Sequence, residues 1–308
     1  MAYDFTQINW SQTAVYVARD EFYNELNQEL SGVQSTFNDL MIAQAGQYPI
    51  FAQDIWYNPE IITIDSIGDA VKKLKAIQPF WYAHPITYAR RCLLIEQQLP
   101  QYNKLKPHQF PLQTIPNHGV FTLLDQNTLL YSIQRDKPVP DGYFEFNEDK
   151  INPPNRAYLK LWEALCLLGH YPQPGEFALD LGASPGGWSY VLQSLGTQVL
   201  AIDKAPLDPS ISKLNLVDFQ QGSAFALDPK DFTHIDWLVG DIACYPERLY
   251  RWLKSWLSSN QVKQFILTVK LQGQTDFTAL QRFHQIPNSR LLQLTHNKHE
   301  VTFIHPWS

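Results

Sequence analysis

The 308-residue chain predicts an α/β protein in two parts. A smaller α/β domain is expected over residues 1–150. A mostly parallel sheet, covered by helices and closed by an antiparallel C-terminal hairpin, is expected over 151–308. Three observations carry this reading. From residue 155 onward, apolar runs alternate with amphipathic stretches, which is how a parallel sheet with helices on both faces reads in sequence. A glycine-rich turn, "DLGASPGGW" (180–188), follows the first of those runs. The last two apolar runs, "RLLQLTH" (290–296) and "EVTFIH" (300–305), are separated only by "NKH", which leaves room for a hairpin but not for a crossover helix.

Taken in order, "TAVYVA" (13–18) reads as a strand. Phe22, Leu26 and Leu30 recur at four-residue steps, one stripe of a short helix. "FNDLMIA" (37–43) reads as a second strand. Asp69 is the expected cap of a helix that buries Val71, Leu74 and Ile77. "ITYARRCLLIE" (86–96) fits a strand or a helix. Residues 99–118 carry four prolines and little periodicity, as a linker does. Residues 119–134 read as a hairpin turning at "DQNT", and the turn-rich 135–154 sets the domain boundary near 150.

The second part predicts a helix at 155–168, a strand at 176–182, a helix at 186–195 and a strand at 198–203. A strand ending in "DWLVGDI" (236–242), a helix at 246–258, a strand at 264–271 and a helix at 276–284 precede the hairpin. Leu249, Trp252, Leu253, Trp256 and Leu257 share one face of the 246–258 helix, which assigns both tryptophans to the core.

The formal net charge is -6, so a polyanion has no uniformly basic surface to bind and needs a local patch. Cys92, Cys166 and Cys244 are far apart, and no CxxC pair occurs. His170, His234 and His284 have no ligand spacing. Neither a metal site nor a disulfide framework is expected. No apolar stretch approaches about 18 residues, and the N-terminus lacks a basic start followed by an apolar run. A cytoplasmic protein without a membrane span or an obligate protein partner is expected.

Ligands of doubly wound sheets bind beyond the carboxyl ends of the strands, where the strand order switches. The glycine turn is expected there. Gly182 lets the chain turn tightly, and Gly186 and Gly187 leave room for a ligand on the loop. Asp203, at the end of the next strand, offers a carboxylate to two ribose hydroxyls. A dinucleotide site wants G-x-G-x-x-G with amides aimed at a pyrophosphate. Here the order is G-A-S-P-G-G, Pro185 removes one amide, and Asp180 faces the pocket with a negative charge. That charge suits the ammonium of a methionine moiety, so S-adenosylmethionine is favoured over NAD. Trp188 fits either a ligand-lining or a packing role.

"DLGASPGGWSYVL" (180–192) closely resembles motif I of the FtsJ-type ribose 2′-O-methyltransferases, in which D-L-G-x-x-P-G-G-[WF] recurs. With "NRAYLKLWEAL" (155–165), "WLVGDI" (237–242), "ILTVKLQ" (266–272) and "HEVTFI" (299–304), the order and spacing are similar to the RlmM-type members, which methylate a cytidine ribose of bacterial 23S rRNA. The resemblance spans about residues 150–305. It implies a Rossmann-like methyltransferase domain, S-adenosylmethionine as cofactor, and RNA, rRNA above all, as partner. It also implies a Lys-Asp-Lys-Glu catalytic tetrad, which falls on Lys160, Asp241, Lys270 and Glu300. The implied cofactor contacts fall on Ser184, Pro185, Gly186, Gly187, Trp188, Asp203 and Asp241, beside Asp180 and Gly182 of the turn. One contact departs. An aspartate that touches the adenine amino group aligns with Ser223, whose hydroxyl accepts the same hydrogen bond without charge. Weaker cofactor binding is the expected result.

RlmM-type enzymes carry a ferredoxin-like piece and a THUMP RNA-binding domain ahead of the catalytic domain. The N-terminal residues here fit the first piece, and the segment from about 100 to 118 is too short for the second. Arg90, Arg91, Lys104 and Lys106 form an expected phosphate-contacting cluster. Arg156 and Glu163 are expected on the helix face of Lys160, which offers RNA further cations.

A ribose hydroxyl must shed its proton as it attacks a methyl group. Lys270, at a strand end, fits two roles. It is a neutral base if burial and Lys160 lower its pKa, or an ammonium that orients the hydroxyl and stabilises the developing alkoxide. Asp241 and Glu300 are expected to hold the lysines. Two other readings stand beside a ribose methyltransferase: a cofactor- or RNA-binding module without turnover, and a methyltransferase of a non-RNA substrate. The lysine pair argues against the second of these.

Overall fold

The computed structural model describes residues 5, 7–101, 107–271 and 273–307. Lys104 and Lys106 lie outside the described residues. The chain divides into two compact units, Met1–His108 with Gln113–Glu145, and Gln109–Leu112 with Phe146–Ser308. Among the described residues no helix is long and apolar enough to cross a membrane.

The first unit contains β1 (Thr13–Ala18), α1 (Tyr23–Glu29), β2 (Ser35–Phe37), β3 (Leu40–Gln44), β4 (Ala52–Tyr57), β5 (Glu60–Thr63), α2 (Ile67–Ile77), β6 (Trp81–Ala83), α3 (Ala89–Gln97), β7 (Gly119–Leu123), β8 (Thr128–Ser132) and β9 (Gln134–Arg135). It is α/β, as the sequence predicts. Its strands form two sheets, ordered β2-β3-β1-β4-β9 and β5-β8-β7-β6, where a ferredoxin-like arrangement has one. The reason is visible in β7 and β8, which are apolar on both faces. Val120 and Leu130 enter a core with Val15, Val17, Ile42 and Trp56 of the other sheet. Their neighbours Phe121, Leu123 and Leu129 enter a second core with Val71, Leu74, Cys92 and Ile95 of α2 and α3. Alternate side chains therefore fill two different layers.

Two local expectations change here, and one open alternative is resolved. Residues 37–43 are the end of β2, a turn at Asn38 with φ 53° and most of β3, which pair as a hairpin. Ser66, not Asp69, caps α2: its hydroxyl accepts the Asp69 amide at 3.1 Å, while the Asp69 carboxylate accepts from Asp65 N and pairs with Lys73. The ambiguous 86–96 stretch is helical, as α3.

The second unit contains α4 (Tyr158–Leu168), β10 (Phe177–Leu181), α5 (Gly187–Ser194), β11 (Gln198–Asp203), α6 (Pro209–Ser212), β12 (Val217–Gln221), β13 (Ile235–Gly240), α7 (Pro246–Ser259), β14 (Val262–Lys270), α8 (Phe277–His284), β15 (Arg290–Leu292) and β16 (Glu300–His305). Its sheet is ordered β12-β11-β10-β13-β14-β16-β15. Strands β10 to β14 are parallel to one another, and β16 runs antiparallel to both β14 and β15. This is a Rossmann-like, doubly wound sheet with its switch point between β10 and β13. Trp252 and Trp256 are buried in its core. Strand β12 and helix α6 are additional to the expected elements; "VDFQQ" is largely polar and exposed, as an edge strand is, and carries no apolar run to read.

Candidate active site

The loop between β10 and α5 lies at that switch point. Gly182, with φ 72°, sits against the Asp241 backbone, 3.0 Å from its carbonyl to the place of a Cβ. Gly186, with φ 117°, and Gly187 are closely packed. Side chains there would strike Ile211 and the Asn155 carboxamide. Asp203 ends β11 beside the loop. Its Oδ2 accepts Ser184 N at 3.0 Å and its Oδ1 accepts Ala205 N at 2.9 Å, so the carboxylate is fixed while each oxygen keeps a lone pair. The Ser184 hydroxyl donates to Pro206 O at 2.8 Å.

Asp180 does not face open space. It is 1% exposed and accepts the Ser189 hydroxyl at 2.6 Å. Burial pushes its pKa to about 7, the Ser189 bond opposes the rise, and the charges of Asp241 and Asp203 add to it.

Next to the loop, four charged residues close into a ring. Asp241 follows β13 directly, and Lys270 and Glu300 are register partners across β14 and β16. Lys160 reaches the same point from α4. Its Nζ lies 2.5 Å from Asp241 Oδ2 and 2.8 Å from Glu300 Oε1. Lys270 Nζ lies 2.5 Å from Asp241 Oδ1 and 2.5 Å from Glu300 Oε2. Each ammonium thus touches both carboxylates and keeps a third N–H. Burial pulls the Lys270 pKa down, but Asp241 and Glu300 outweigh it and the pKa is raised. Burial likewise opposes the Asp241 charge, and Lys160 and Lys270 reverse that, holding its pKa below the ordinary value. The resting Lys270 is an ammonium, not the neutral amine that burial alone would produce.

A family model described as FtsJ-like methyltransferase matches residues 153–303, the stretch that holds both the loop and the ring. This part of the chain belongs to the FtsJ-like methyltransferase family. The Ribosomal RNA large subunit methyltransferase M of Halorhodospira halophila (strain DSM 244 / SL1) is 36% identical over 159 residues, covering 49% of this chain and 46% of that protein. The protein of the same name from Azoarcus sp. (strain BH72) is 29% identical over 167 residues, covering 49% and 45%. The chain therefore spans somewhat under half the length of these relatives. Among solved structures, the human methyltransferase 10 domain containing protein covers 50% of this chain and 83% of its own at 13% identity, with a TM-score of 0.37.

Within the FtsJ-like domain, Asp180, Asp203 and Asp241 are close enough for their charges to register on Asp180. The carboxylates of Asp203 and Asp241 beside the loop suit hydroxyl donors and a cation, and oppose a pyrophosphate. S-adenosylmethionine, with its ribose, ammonium and sulfonium, fits this donor set. Ser223 lies beyond β12, next to Gly222, whose amide donates to Asp203 O at 2.8 Å. Its hydroxyl is engaged at 3.3 Å by Phe225 N, as the cap of a short 3₁₀ turn. Pro185 is half-buried on the loop and its carbonyl accepts Asp208 N at 2.9 Å. Trp188 packs: it is buried and its indole N–H donates to Ala157 O at 2.9 Å.

The expected helix face of Lys160 also divides. Arg156 precedes α4 and pairs with Glu148 at 2.7 Å. Glu163 is wholly buried and accepts Thr295 N, His296 N and His296 Nδ1 at 2.7, 3.0 and 2.7 Å, which ties α4 to the chain before β16. Two residues outside the expected set support the loop. Ser189 holds Asp180, and its hydroxyl just inside the helix is a signal open to reading. Asn155 fills the space beside Gly187, a contact that no local pattern announces. Among the described residues, no group of three or more His, Cys, Asp or Glu is arranged for a metal ion.

Proposed function

We propose that the chain transfers a methyl group from S-adenosylmethionine to a ribose 2′-hydroxyl of RNA, with ribosomal RNA as the substrate class. The observation that carries this reading is the closed ring of Lys160, Asp241, Lys270 and Glu300 beside the loop. The names of the relatives, ribosomal RNA methyltransferases, support the choice of substrate.

When bound, S-adenosylmethionine supplies a methyl group on a positively charged sulfur. Asp203, fixed by two amides, accepts from ribose hydroxyls. The ring itself is neutral, two ammoniums against two carboxylates, so it adds no repulsion toward a cation. Lys270 gives its third N–H to the 2′-oxygen. It orients a lone pair and stabilises negative charge as the oxygen–carbon bond forms. The hydroxyl grows more acidic as that bond forms, so its proton needs only a modest acceptor. The carboxylates of Asp241 and Glu300, already in contact with both lysines, provide one.

The test is incubation of the protein with methyl-labelled S-adenosylmethionine and total bacterial RNA, followed by digestion to nucleosides. Label in 2′-O-methyl nucleosides supports the reading. Label confined to bases or to protein overturns the ribose assignment, and cofactor binding without any transfer to RNA overturns turnover.

A further inference from the structure

One aromatic side chain near the charged ring is left in solvent by the fold. Tyr245 follows Asp241 by four residues, on the segment that leads from β13 into α7, and is 67% exposed. Among the described residues its hydroxyl makes no hydrogen bond and its ring makes no aromatic contact. The segment itself is packed. Ile242 and Cys244 are buried, the Tyr245 carbonyl accepts Arg248 N and Leu249 N at 3.1 Å, and Pro246 opens α7 directly behind it. A fixed backbone therefore holds an open aromatic face beside the site. That ring gains nothing from folding while it stays in water.

A second observation lies one turn along α7. Arg248 is exposed and has no carboxylate partner among the described residues. The adjacent Glu247 is engaged by Arg251 and Arg282 instead. The Arg248 guanidinium lies over the Phe225 ring, 4.0 Å from its centroid. That contact fixes its plane and leaves its edge N–H groups open. A cation in the first turn of a helix also opposes the helix dipole, so folding alone does not favour it there. Burial raises the Cys244 pKa, and the charges of Arg248 and Lys270 oppose the rise, so both cations act on the segment that carries Tyr245.

An open aromatic face and an unneutralised guanidinium ask for a flat ring and an anion together. A nucleotide brings both, as base and phosphate. An acidic peptide would match the arginine alone, and an apolar one the tyrosine alone. We propose that Tyr245 and Arg248 seat single-stranded RNA at the active site, with a base next to the reacting ribose stacked on Tyr245 and a flanking phosphate on Arg248. This rests on the reading of the charged ring as a ribose methylation site. Every base has a face to stack, whereas paired bases are already stacked on one another, so the two residues select unpaired RNA and not a sequence.

The test is fluorescence anisotropy of the full chain with a labelled short single-stranded RNA of mixed sequence, and with the same strand in a duplex. It requires no turnover. The single strand binds more tightly than the duplex. Tyr245→Ala weakens single-strand binding about tenfold, and Tyr245→Phe, which keeps the ring, restores it. Arg248→Met lowers the slope of log affinity against log salt by roughly one. S-adenosylmethionine affinity and melting temperature stay at the wild-type values in Tyr245→Ala and Arg248→Met. Equal binding of single strand and duplex, unchanged RNA affinity in Tyr245→Ala, or an Arg248→Met variant that loses cofactor affinity with its salt slope intact overturns the proposal. RNA binding that follows these expectations, in a wild type that transfers no methyl group to ribose, upholds the surface and overturns the ribose reading.

Discussion

Lys270 and Glu300 face each other across β14 and β16, with Nζ and Oε2 2.5 Å apart. The antiparallel pairing brings the last residue of one strand opposite the first residue of the other. That single register places a cation and its counter-charge at the carboxyl edge of the sheet, where Asp241 and Lys160 complete the ring.

This relationship predicts a pH effect. Glu300 is one of the charges that raise the Lys270 pKa. Glu300→Gln removes that charge, so Lys270 loses its proton at lower pH. The alkaline limb of the pH profile for methyl transfer is expected to move to lower pH. A limb that stays in place would show that the protonation of Lys270 does not govern the rate.

Asp203→Ala removes a carboxylate held by two backbone amides. Hydrogen bonds to a charged acceptor are worth about 1.5–3 kcal/mol, so the Kd for S-adenosylmethionine is expected to rise about tenfold to hundredfold. Calorimetry checks this, with the melting temperature as a control for folding. An unchanged Kd would remove Asp203 from the cofactor site.

Much of this site was legible in the sequence, for identifiable reasons. "DLGASPGGW" is a local pattern, and the alternation around it marks a doubly wound sheet. Lys160, Asp241, Lys270 and Glu300 each belong to a distinct motif. What was not legible depends on distant partners. The packing of Gly186 and Gly187 against Ile211 and Asn155 has no local signature. Trp188 is ambiguous until Ala157 takes its N–H. The protonation of Lys270 turns on whether burial or two remote carboxylates prevail. The two-sheet arrangement of the N-terminal unit follows from strands that are apolar on both faces, which short runs such as "GVFTL" do not distinguish from one buried sheet.

Glu163 lies on the same helix as Lys160 and has a different task. Glu163→Ala removes three hydrogen bonds to Thr295 and His296. Unfolding free energy is expected to fall by about 3 kcal/mol in denaturant titration. Cofactor affinity of the folded protein should be kept. A loss under about 0.5 kcal/mol, the level of an ordinary surface substitution, would contradict the structural role.

Stability also depends on pH through buried acids. Asp180 and Glu29 have pKa values pushed by burial to about 7, and Asp54 to about 6. An acid whose pKa is higher in the folded state favours folding while protonated. That contribution is full below its unfolded value near 4 and lost as pH rises through the folded value. The melting temperature of the ligand-free protein is therefore expected to be higher near pH 5 than near pH 8, by several degrees. Asp180→Asn should narrow the difference. A melting temperature that rises over this interval would contradict the assigned shifts.

The central claim is that the charged ring beside the loop methylates a ribose hydroxyl. The most direct test compares wild type and Lys270→Met on ribosomal RNA, with 2′-O-methyl nucleosides quantified by mass spectrometry and S-adenosylmethionine affinity measured in parallel. Wild type is expected to form a 2′-O-methyl nucleoside. Lys270→Met is expected to bind the cofactor with unchanged affinity and to transfer about a hundredfold to ten-thousandfold more slowly. Wild-type transfer at full rate by Lys270→Met, or a methyl group found only on a base, would contradict the account.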